Sequence, residues 1–339
     1  MSKGTKGTLV IIGGAERKDD ERTVLKVVAD RIRANQRLLI VTAASYEPDG
    51  TAKDYMRVFK ELGVSEMDVA DVRTREDAER QDLVEKCERA SAIFFTGGDQ
   101  LRITSQMGDS PMYRCMQQRY EDGAMIIGTS AGAAAMPFTM IVGGPSDESN
   151  RVSALSMAPG LGLLDYVVID SHFAQRGRMG RLIGAVMQNP RNLGLGIDEA
   201  TAIVVEKGER FDVVGPGAVY VVDGSQISYS SLSEDHAEGI VTVHDIRLHV
   251  LGAGDCYDLT TRRPIVVEPQ PETQPGKQPD KQPEKAQAAG DEAESLVVNH
   301  RLVRTPTCAS PDVACDAPCP RAAKKVALHV RGEHKSPPT

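Results

Sequence analysis

The chain has 339 residues, of which 40% are hydrophobic and 26% are charged, and its formal net charge at pH 7 is −8. This composition is typical of soluble globular proteins and excludes a collagen, a coiled coil and a chain that is disordered throughout. The acidic balance disfavours nucleic acid as a partner, and no run approaches the roughly 18 apolar residues of a membrane span. We therefore expect a cytoplasmic protein with no membrane and no nucleic-acid partner.

Short apolar runs in the first half of the chain predict buried strands. They are TLVII (8–12), RLLIVT (37–42), MDVADV (67–72), AIFFT (92–96), AMIIGT (124–129) and DYVVID (165–170). Segments with helical spacing lie between them, at residues 21–35, 51–63 and 100–107. This alternation predicts an α/β fold with a doubly wound, mostly parallel sheet.

The segments after residue 200 predict a different arrangement. TAIVV (201–205), AVYVVDG (218–224), QISYSS (226–231) and IRLHVLG (246–252) follow one another with turn residues and no long helix. Such a succession predicts antiparallel strands added to the sheet. Because one core can hold a chain of this length, residues 1–268 are predicted to form a single domain.

The composition changes at residues 269–287, PQPETQPGKQPDKQPEKAQ. Alternating Pro and Gln with single charges cannot bury enough apolar surface to offset chain entropy, so residues 269–339 are predicted to be a Pro/Gln-rich linker and a disordered tail. Residues 268–339 carry ten basic and ten acidic side chains. The whole net charge of −8 therefore belongs to residues 1–267.

The cysteines are spread through the chain rather than concentrated as in a small disulfide-bonded domain. They stand at positions 87, 115, 256, 308, 315 and 319. We expect free thiols. The last three lack a CxxC pair and a nearby HxxxH, so neither a zinc site nor any other metal site is predicted.

The motif Gly128-Thr129-Ser130-Ala131-Gly132 joins a predicted strand to a run of small residues that suits a helix start. G-x-S-x-G at such a junction is typical of a serine nucleophile, because the sharp turn exposes the hydroxyl and the helix N terminus presents donors to an oxyanion. A tight glycine turn with an inert serine is the alternative. The placement after a buried strand favours a nucleophile.

A serine nucleophile needs a base, and His172 lies just after the strand DYVVID, at the strand end where α/β sheets place their sites. An acid must orient that base. Two regions supply one: the strand-end segment GLGIDEA holds Asp198 and Glu199, and GGPSDESN holds Glu148. Any such carboxylate would stabilise the imidazolium.

His172 stands within the polar segment DSHFAQRGRMGR (170–181). Arg178 and Arg181 are three residues apart, so they share a helix face on which they would grip a carboxylate. The alternative is a solvated helix face. The density of polar residues at a strand end favours a binding surface.

Two glycine pairs also follow predicted strands, Gly13-Gly14 and Gly97-Gly98. Their backbone amides, together with that of Ala131, are candidates for an oxyanion hole. Both turns are too short for a G-x-G-x-x-G or Walker fingerprint. Neither an NAD site nor an ATP site is predicted, and no cofactor is expected.

Five motifs in this order resemble those of the cyanophycinases, serine exopeptidases related to dipeptidase E (aspartyl dipeptidase). The motifs are IIGGAE (11–16), FFTGGDQ (94–100), IIGTSAGAAAM (126–136), IDSHFAQRGRMGRL (169–182) and GLGIDEATA (194–202). The resemblance covers about residues 5–265. It implies a flavodoxin-like, class I glutamine-amidotransferase-like fold and a homodimer. The substrate it implies is cyanophycin, a polymer of aspartate with arginine on each β-carboxyl, which the enzymes cleave to β-Asp-Arg dipeptides.

Matched position by position, the resemblance implies that Ser130 is the nucleophile, His172 the base and Glu199 the acid, with Glu148 as the alternative acid. We place the oxyanion hole at Gly98 and Ala131. The polar positions of the substrate site fall on Gln100, Asp170, Ser171, Arg176, Arg178 and Arg181. The family often carries Gln where this chain has Ser171.

Two other functions stay open. One is a dipeptidase-E-like hydrolase of short Asp-containing or β-aspartyl peptides, which would use the same nucleophile. The other is a catalytically silent α/β binding protein that kept the fold, and the combination of Ser130, His172 and Glu199 argues against it. Products formed from cyanophycin and from Asp-X dipeptides would distinguish the two enzymes.

Overall fold

The computed structural model describes residues 6–19, 21–33, 35–144, 155–232 and 241–266. The predicted tail, residues 269–339, lies outside the described residues. The helices within these ranges are α1 (Thr23–Arg31), α2 (Pro48–Glu61), α3 (Gln81–Arg89), α4 (Gln100–Met107), α5 (Pro111–Glu121), α6 (Ala131–Ala134) and α7 (Met179–Gln188). No helix in this described part is long and apolar enough to cross a bilayer.

The strands alternate with the helices in the first half of the chain and follow one another in the second half. They are β1 (Thr8–Ile12), β2 (Arg37–Val41), β3 (Glu66–Ala70), β4 (Ala92–Phe95), β5 (Met125–Thr129), β6 (Thr139–Gly143), β7 (Ser156–Pro159), β8 (Val167–Ser171), β9 (Leu193–Ile197), β10 (Ala202–Glu206), β11 (Arg210–Val214), β12 (Val219–Asp223), β13 (Tyr229–Ser230), β14 (Val243–His244), β15 (Arg247–Leu251), β16 (Cys256–Asp258) and β17 (Arg263–Ile265). The predicted mixed α/β fold is confirmed.

The largest sheet has the order β17-β16-β11-β10-β1-β5-β4-β2-β3. Strands β1 to β5 run parallel, and the sheet continues antiparallel from β1 through β10, β11, β16 and β17. Alternate residues of β1 pack on opposite faces: Leu9 and Ile11 belong to one apolar cluster, Val10 and Ile12 to the other. Burial on both faces explains the continuous apolar runs of these strands.

A second sheet corrects the prediction of one doubly wound sheet. Strands β15, β12, β9 and β8 form a separate four-stranded sheet, in which β8 and β9 are parallel and the other pairs antiparallel. The run DYVVID is therefore a buried parallel strand, as predicted, but it is not part of the largest sheet. Packing of the apolar faces decides which strands pair, and the local pattern does not encode it.

Asp223 connects the end of β12 to the strands that follow it. Its carboxylate, in a residue only 1% exposed, is 2.8 Å from Arg262 Nη1 and 3.4 Å from Arg247 Nη1, and it accepts the Ser225 amide at 3.0 Å. Burial by itself raises the pKa of Asp223, but the hydrogen bonds from Ser225 and Arg262 outweigh it and leave the pKa lowered. The carboxylate is thus held ionised at neutral pH.

The carboxyl ends of β1, β4 and β5 meet at one edge of the largest sheet, as parallel pairing requires. The chain leaves this edge through the Gly13-Gly14 turn, the Gly97-Gly98 turn and Ser130. Parallel sheets bind ligands at such an edge. The residues predicted to carry chemistry are therefore brought together here by the fold.

Candidate active site

Ser130 lies between β5 and α6 in a strained backbone conformation. Its φ and ψ are 52° and −107°, a combination that residues other than glycine rarely adopt. A Cβ on Gly128 would lie 2.5 Å from the carbonyl of Gly132, and one on Gly132 would lie 2.4 Å from the carbonyl oxygen of Phe95. The two glycines therefore permit the tight turn that was predicted from G-x-S-x-G.

Two hydrogen bonds join Ser130, His172 and Glu199. Ser130 Oγ is 2.8 Å from His172 Nε2, and His172 Nδ1 is 2.7 Å from Glu199 Oε1. The His172 side chain is 11% exposed and that of Glu199 is 36% exposed. When Nδ1–H donates to Glu199, the Nε2 lone pair faces the serine hydroxyl, which is the tautomer that a general base requires.

The turn after β1 holds the backbone of all three segments. The carbonyl oxygens of residues 12–14 accept in succession the amides of Ser130 at 3.0 Å, His172 at 2.7 Å and Ala200 at 2.9 Å. Ala200 directly follows the acid. Three consecutive carbonyls thus fix the relative positions of the serine, the histidine and the carboxylate segment.

Gly14 contacts the imidazole so closely that no other residue fits. Its φ is +101°, and a Cβ there would lie 2.5 Å from Cε1 and Nε2 of His172. The amide of Gly13 donates to the carbonyl of Thr201 at 2.9 Å. The Gly13 amide is therefore already engaged, which removes it from the candidates for the oxyanion hole.

The two amides proposed for the oxyanion hole belong to Gly98 and Ala131, which line the same cleft as Ser130. Gly98 has a φ of +141°, and a Cβ there would lie 1.9 Å from the carbonyl oxygen of Ala44. Ala131 is the first residue of α6, so its amide is one of the helix N-terminal donors that have no acceptor within the helix. The Ala131 amide is therefore available at the cleft, and the assignment of both amides to the oxyanion hole stays a prediction.

Asp198 and Glu199 have different surroundings. Asp198 is 6% exposed, and its two oxygens accept the amides of Ala174 at 2.9 Å and Ala218 at 3.0 Å. It holds two loops together, whereas the Glu199 carboxylate faces the imidazole. Glu148, the alternative acid, lies outside the described residues.

Polar residues predicted for the substrate site line a cleft of about 360 Å³ beside Ser130. The predicted residues in its wall are Gln100, Asp170, Ser171, Arg176, Arg178 and Arg181. The Gln100 amide donates to the carbonyl of Ile141 at 2.9 Å. The Ser171 carbonyl accepts from Arg178 Nη1 at 2.6 Å.

Asp170 is the centre of a buried ion-pair cluster in this wall. Its side chain is 2% exposed; Arg178 Nη1 is 2.9 Å from Oδ1, and Arg181 donates to both oxygens, with Nε at 2.7 Å. Burial lowers the pKa of Arg178; the charge of Asp170 opposes this shift, and those of Arg181 and Arg176 reinforce it. Asp170 and Asp99 are the carboxylates of this wall, against the guanidinium groups of the buried Arg181, the partly buried Arg178 and the exposed Arg176. The wall is therefore net positive and suits an anionic group.

A second cleft of about 440 Å³ opens on another side of Ser130 and His172. Glu16, Tyr55 and Thr129 line it and are joined by hydrogen bonds. The sequence prediction missed this group. The available signal was a carboxylate two residues after the strand-end pair Gly13-Gly14.

The described part of the chain contains no group of three or more His, Cys, Asp or Glu side chains placed to hold a metal ion. Cys87, Cys115 and Cys256 are free thiols. The three cysteines at positions 308, 315 and 319 lie outside the described residues.

Comparison with known proteins gives a consistent result. The model of peptidase family S51 matches residues 9–213. A cyanophycinase of Geminocystis herdmanii is 39% identical over 267 residues, which cover 78% of this chain and 98% of that protein. A cyanophycinase of Nostoc sp. is 40% identical over 262 residues, or 77% of this chain and 88% of that protein.

Among solved structures, a peptidase from an acI-B1 Actinobacterium is similar in fold. It superposes with a TM-score of 0.58 at 20% identity, and the match covers 76% of this chain and 98% of that structure. The fold described above therefore exists in an experimentally determined peptidase.

Proposed function

The chain belongs to peptidase family S51, and on that premise we propose that it hydrolyses cyanophycin to β-Asp-Arg dipeptides through an acyl-enzyme on Ser130. The observation that carries the proposal is the hydrogen-bonded chain from Ser130 Oγ through His172 to Glu199. Ser130 lies on a strained strand-to-helix turn, which is the arrangement of a serine nucleophile.

In the first half of the reaction, Ser130 Oγ attacks the scissile carbonyl carbon while His172 Nε2 accepts the hydroxyl proton. Glu199 stabilises the imidazolium that forms. The carbonyl π electrons move to oxygen, which the amides of Gly98 and Ala131 stabilise. The tetrahedral intermediate then collapses: the C–N bond breaks, and the leaving amine takes the proton from His172.

In the second half, water attacks the ester carbonyl and gives a proton to His172 Nε2. The same amides stabilise the second oxyanion. Collapse breaks the bond to Ser130 Oγ, which recovers the proton from the imidazolium. The enzyme returns to its starting state with no cofactor consumed.

The charge of the cleft wall supports a substrate that carries carboxylates. A cyanophycin terminus has an α-carboxylate on aspartate and another on each attached arginine. Arg176 is exposed in the wall, and Arg178 and Arg181 share one carboxylate, Asp170. Guanidinium groups are well matched to a substrate carboxylate at this position.

The experiment is to incubate the protein with purified cyanophycin and, separately, with a panel of Asp-X dipeptides, and to identify the products by mass spectrometry. The proposal predicts β-Asp-Arg as the accumulating product from cyanophycin. Rapid cleavage of Asp-X dipeptides with cyanophycin left intact would support the dipeptidase-E-like function instead.

A flavodoxin-like relationship is also part of the proposal. The parallel strands have the order β3-β2-β4-β5-β1. This is the flavodoxin order 2-1-3-4-5 if β1 takes the fifth place. The switch in winding direction then falls between β2 and β4, and the Gly97-Gly98 turn follows β4 at that point.

We further propose a homodimer in the cytoplasm. The edge strand β15 exposes Leu248 and Val250, 48% and 57% accessible, on one face, and apolar residues at a sheet edge favour association. The free thiols of Cys87, Cys115 and Cys256 are typical of a reducing compartment. Sedimentation velocity of the full chain, with Val250→Glu for comparison, tests the dimer.

A further inference from the structure

The cleft around Glu16 differs from the arginine-lined cleft in the sign of its charge. Ser130 lines both, so a substrate that lies across the nucleophile reaches each of them. The acids in the wall of the second cleft are Glu16 and Asp19, and its one lysine is Lys18. The two clefts therefore offer a substrate opposite charges on the two sides of the scissile bond.

Glu16 is a buried carboxylate without a cationic partner among the described residues. It is 7% exposed. Tyr55 donates its hydroxyl to Oε1, and Thr129 Oγ1 donates to Oε2 at 2.6 Å. Burial, followed by the charge of Glu16, holds the pKa of Tyr55 well above its usual range, so the phenol remains a neutral donor.

Two neutral hydroxyls compensate a buried negative charge only in part. A carboxylate has about four acceptor positions, and the two hydroxyls occupy two of them. The remaining positions suit a group that brings both positive charge and several N–H donors. A guanidinium has five N–H donors in a planar fork and is less strongly hydrated than an ammonium, so it is the better match.

The other charged residues of the cleft leave room for such a cation. Lys18 Nζ lies 4.2 Å from the centre of the Tyr55 ring, and no salt bridge joins it to Glu16 in the described structure. Asp19 is exposed and lies 3.4 Å from Arg57. The unpaired negative charge in the cleft is therefore that of Glu16.

We propose that Glu16 binds the guanidinium of an arginyl side arm next to the scissile bond, and so selects substrates that carry arginine. This inference rests on the proposed function, since it names the group through which the same active site recognises cyanophycin. It assigns opposite ends of the β-Asp-Arg unit to different clefts: carboxylates to the arginine wall and the guanidinium to Glu16.

A competing role must be separated from this one. Thr129 immediately precedes Ser130, so Glu16 could act only by fixing the turn through its bond to Thr129 Oγ1. A positioning role would lower kcat for every substrate by the same factor. A guanidinium-binding role lowers kcat/KM for substrates that carry arginine and spares neutral ones.

The test compares two oligomers of β-substituted aspartate that differ only in the side arm, arginine in one and its neutral isostere citrulline in the other. For the unmodified protein, kcat/KM should be at least tenfold higher for the arginine oligomer. Glu16→Gln should lower kcat/KM for that oligomer by about 10- to 100-fold, as expected for a charged hydrogen bond. For the citrulline oligomer, kcat/KM should change less than threefold in the same variant.

Two further variants separate charge from position. Thr129→Val cuts the link to the turn and keeps the Glu16 charge, so it should preserve the preference for arginine whatever it does to kcat. Glu21 is an exposed acid on the same loop that does not line the cleft. Glu21→Gln is therefore the matched control, and it should leave kcat/KM unchanged for both oligomers. Equal losses on both oligomers in Glu16→Gln would overturn the inference.

The outcomes also separate the inference from the proposed function. If the unmodified protein cleaves neither oligomer and no cyanophycin, the proposed function fails. If it cleaves both oligomers equally well, only the inference fails. Should Glu16→Gln not fold, Lys18→Gln serves instead: removal of this cation, which repels a guanidinium in the same cleft, should raise the preference for arginine, and an unchanged preference would overturn the inference.

Discussion

Replacement of Gly14 by alanine tests how tightly the turn after β1 fixes the imidazole. The added Cβ would lie 2.5 Å from His172 Cε1 and Nε2, whereas ordinary contacts begin at 3.4 Å, so the ring must retreat by roughly 1 Å. Hydrogen bonds of 2.8 and 2.7 Å hold the ring on its two sides, and such a shift stretches both. A misplacement of this size costs about 100-fold in rate.

Gly63 provides the matched control for the backbone strain. Its φ of +91° is close to the +101° of Gly14, but a Cβ at Gly63 would meet nothing within 4 Å. Each alanine variant should lose about 1–2 kcal/mol of unfolding free energy because of its positive φ. Only Gly14→Ala should also lose activity.

The assay measures kcat/KM for β-Asp-Arg release, with thermal unfolding of each variant in parallel. Gly14→Ala should be about 100-fold less active than Gly63→Ala at similar stability. Equal activity of the two variants would mean that the contact between Gly14 and His172 does not position the base.

Three further predictions follow from individual side chains. Glu199→Gln should lower kcat by about 10²- to 10⁴-fold, and Glu148→Gln by much less, at saturating substrate; the reverse order would transfer the acid role to Glu148. Arg181→Ala should lower Tm by several degrees, because Asp170 stays buried with one cation fewer, and an unchanged Tm would contradict the buried pair. Asp223→Asn should lower the unfolding free energy by about 2 kcal/mol at pH 7 in denaturant titrations. Because the folded-state pKa of Asp223 is lowered, its contribution is fully present above the unfolded pKa of about 3.9 and is lost as the pH falls through the folded value. A difference that stays constant down to the acid limit would contradict this assignment.

The positions of the core strands could be predicted from the sequence. The division of these strands between two sheets could not. The runs at 8–12 and 124–129 match β1 and β5 within one residue, because burial on both faces leaves a continuous apolar run. The second sheet was missed partly because β9 contains Gly194 and Gly196, which weaken a strand signal. Tertiary packing explains why glycine is needed in this strand: a Cβ at Gly196 would lie 2.5 Å from the ring of Phe173.

The candidate site was predictable where its residues stand in local motifs. Ser130 and His172 each directly follow a buried strand, and a strand end is visible in the sequence. Which of the two adjacent acids, Asp198 or Glu199, faces the imidazole could not be predicted from the sequence. The fold directs Asp198 to two backbone amides and Glu199 to His172. Glu16 was missed because its partners are 39 and 113 residues away along the chain.

Turnover of cyanophycin by Ser130→Ala tests the acyl-enzyme on Ser130 directly, with Ser105→Ala, an exposed serine of α4, as the control. We expect a loss on the order of 10⁴-fold or more for Ser130→Ala and no change for the control, with near-UV circular dichroism intact in both. A folded Ser130→Ala variant that retains turnover within tenfold of the unmodified protein would contradict the acyl-enzyme on Ser130.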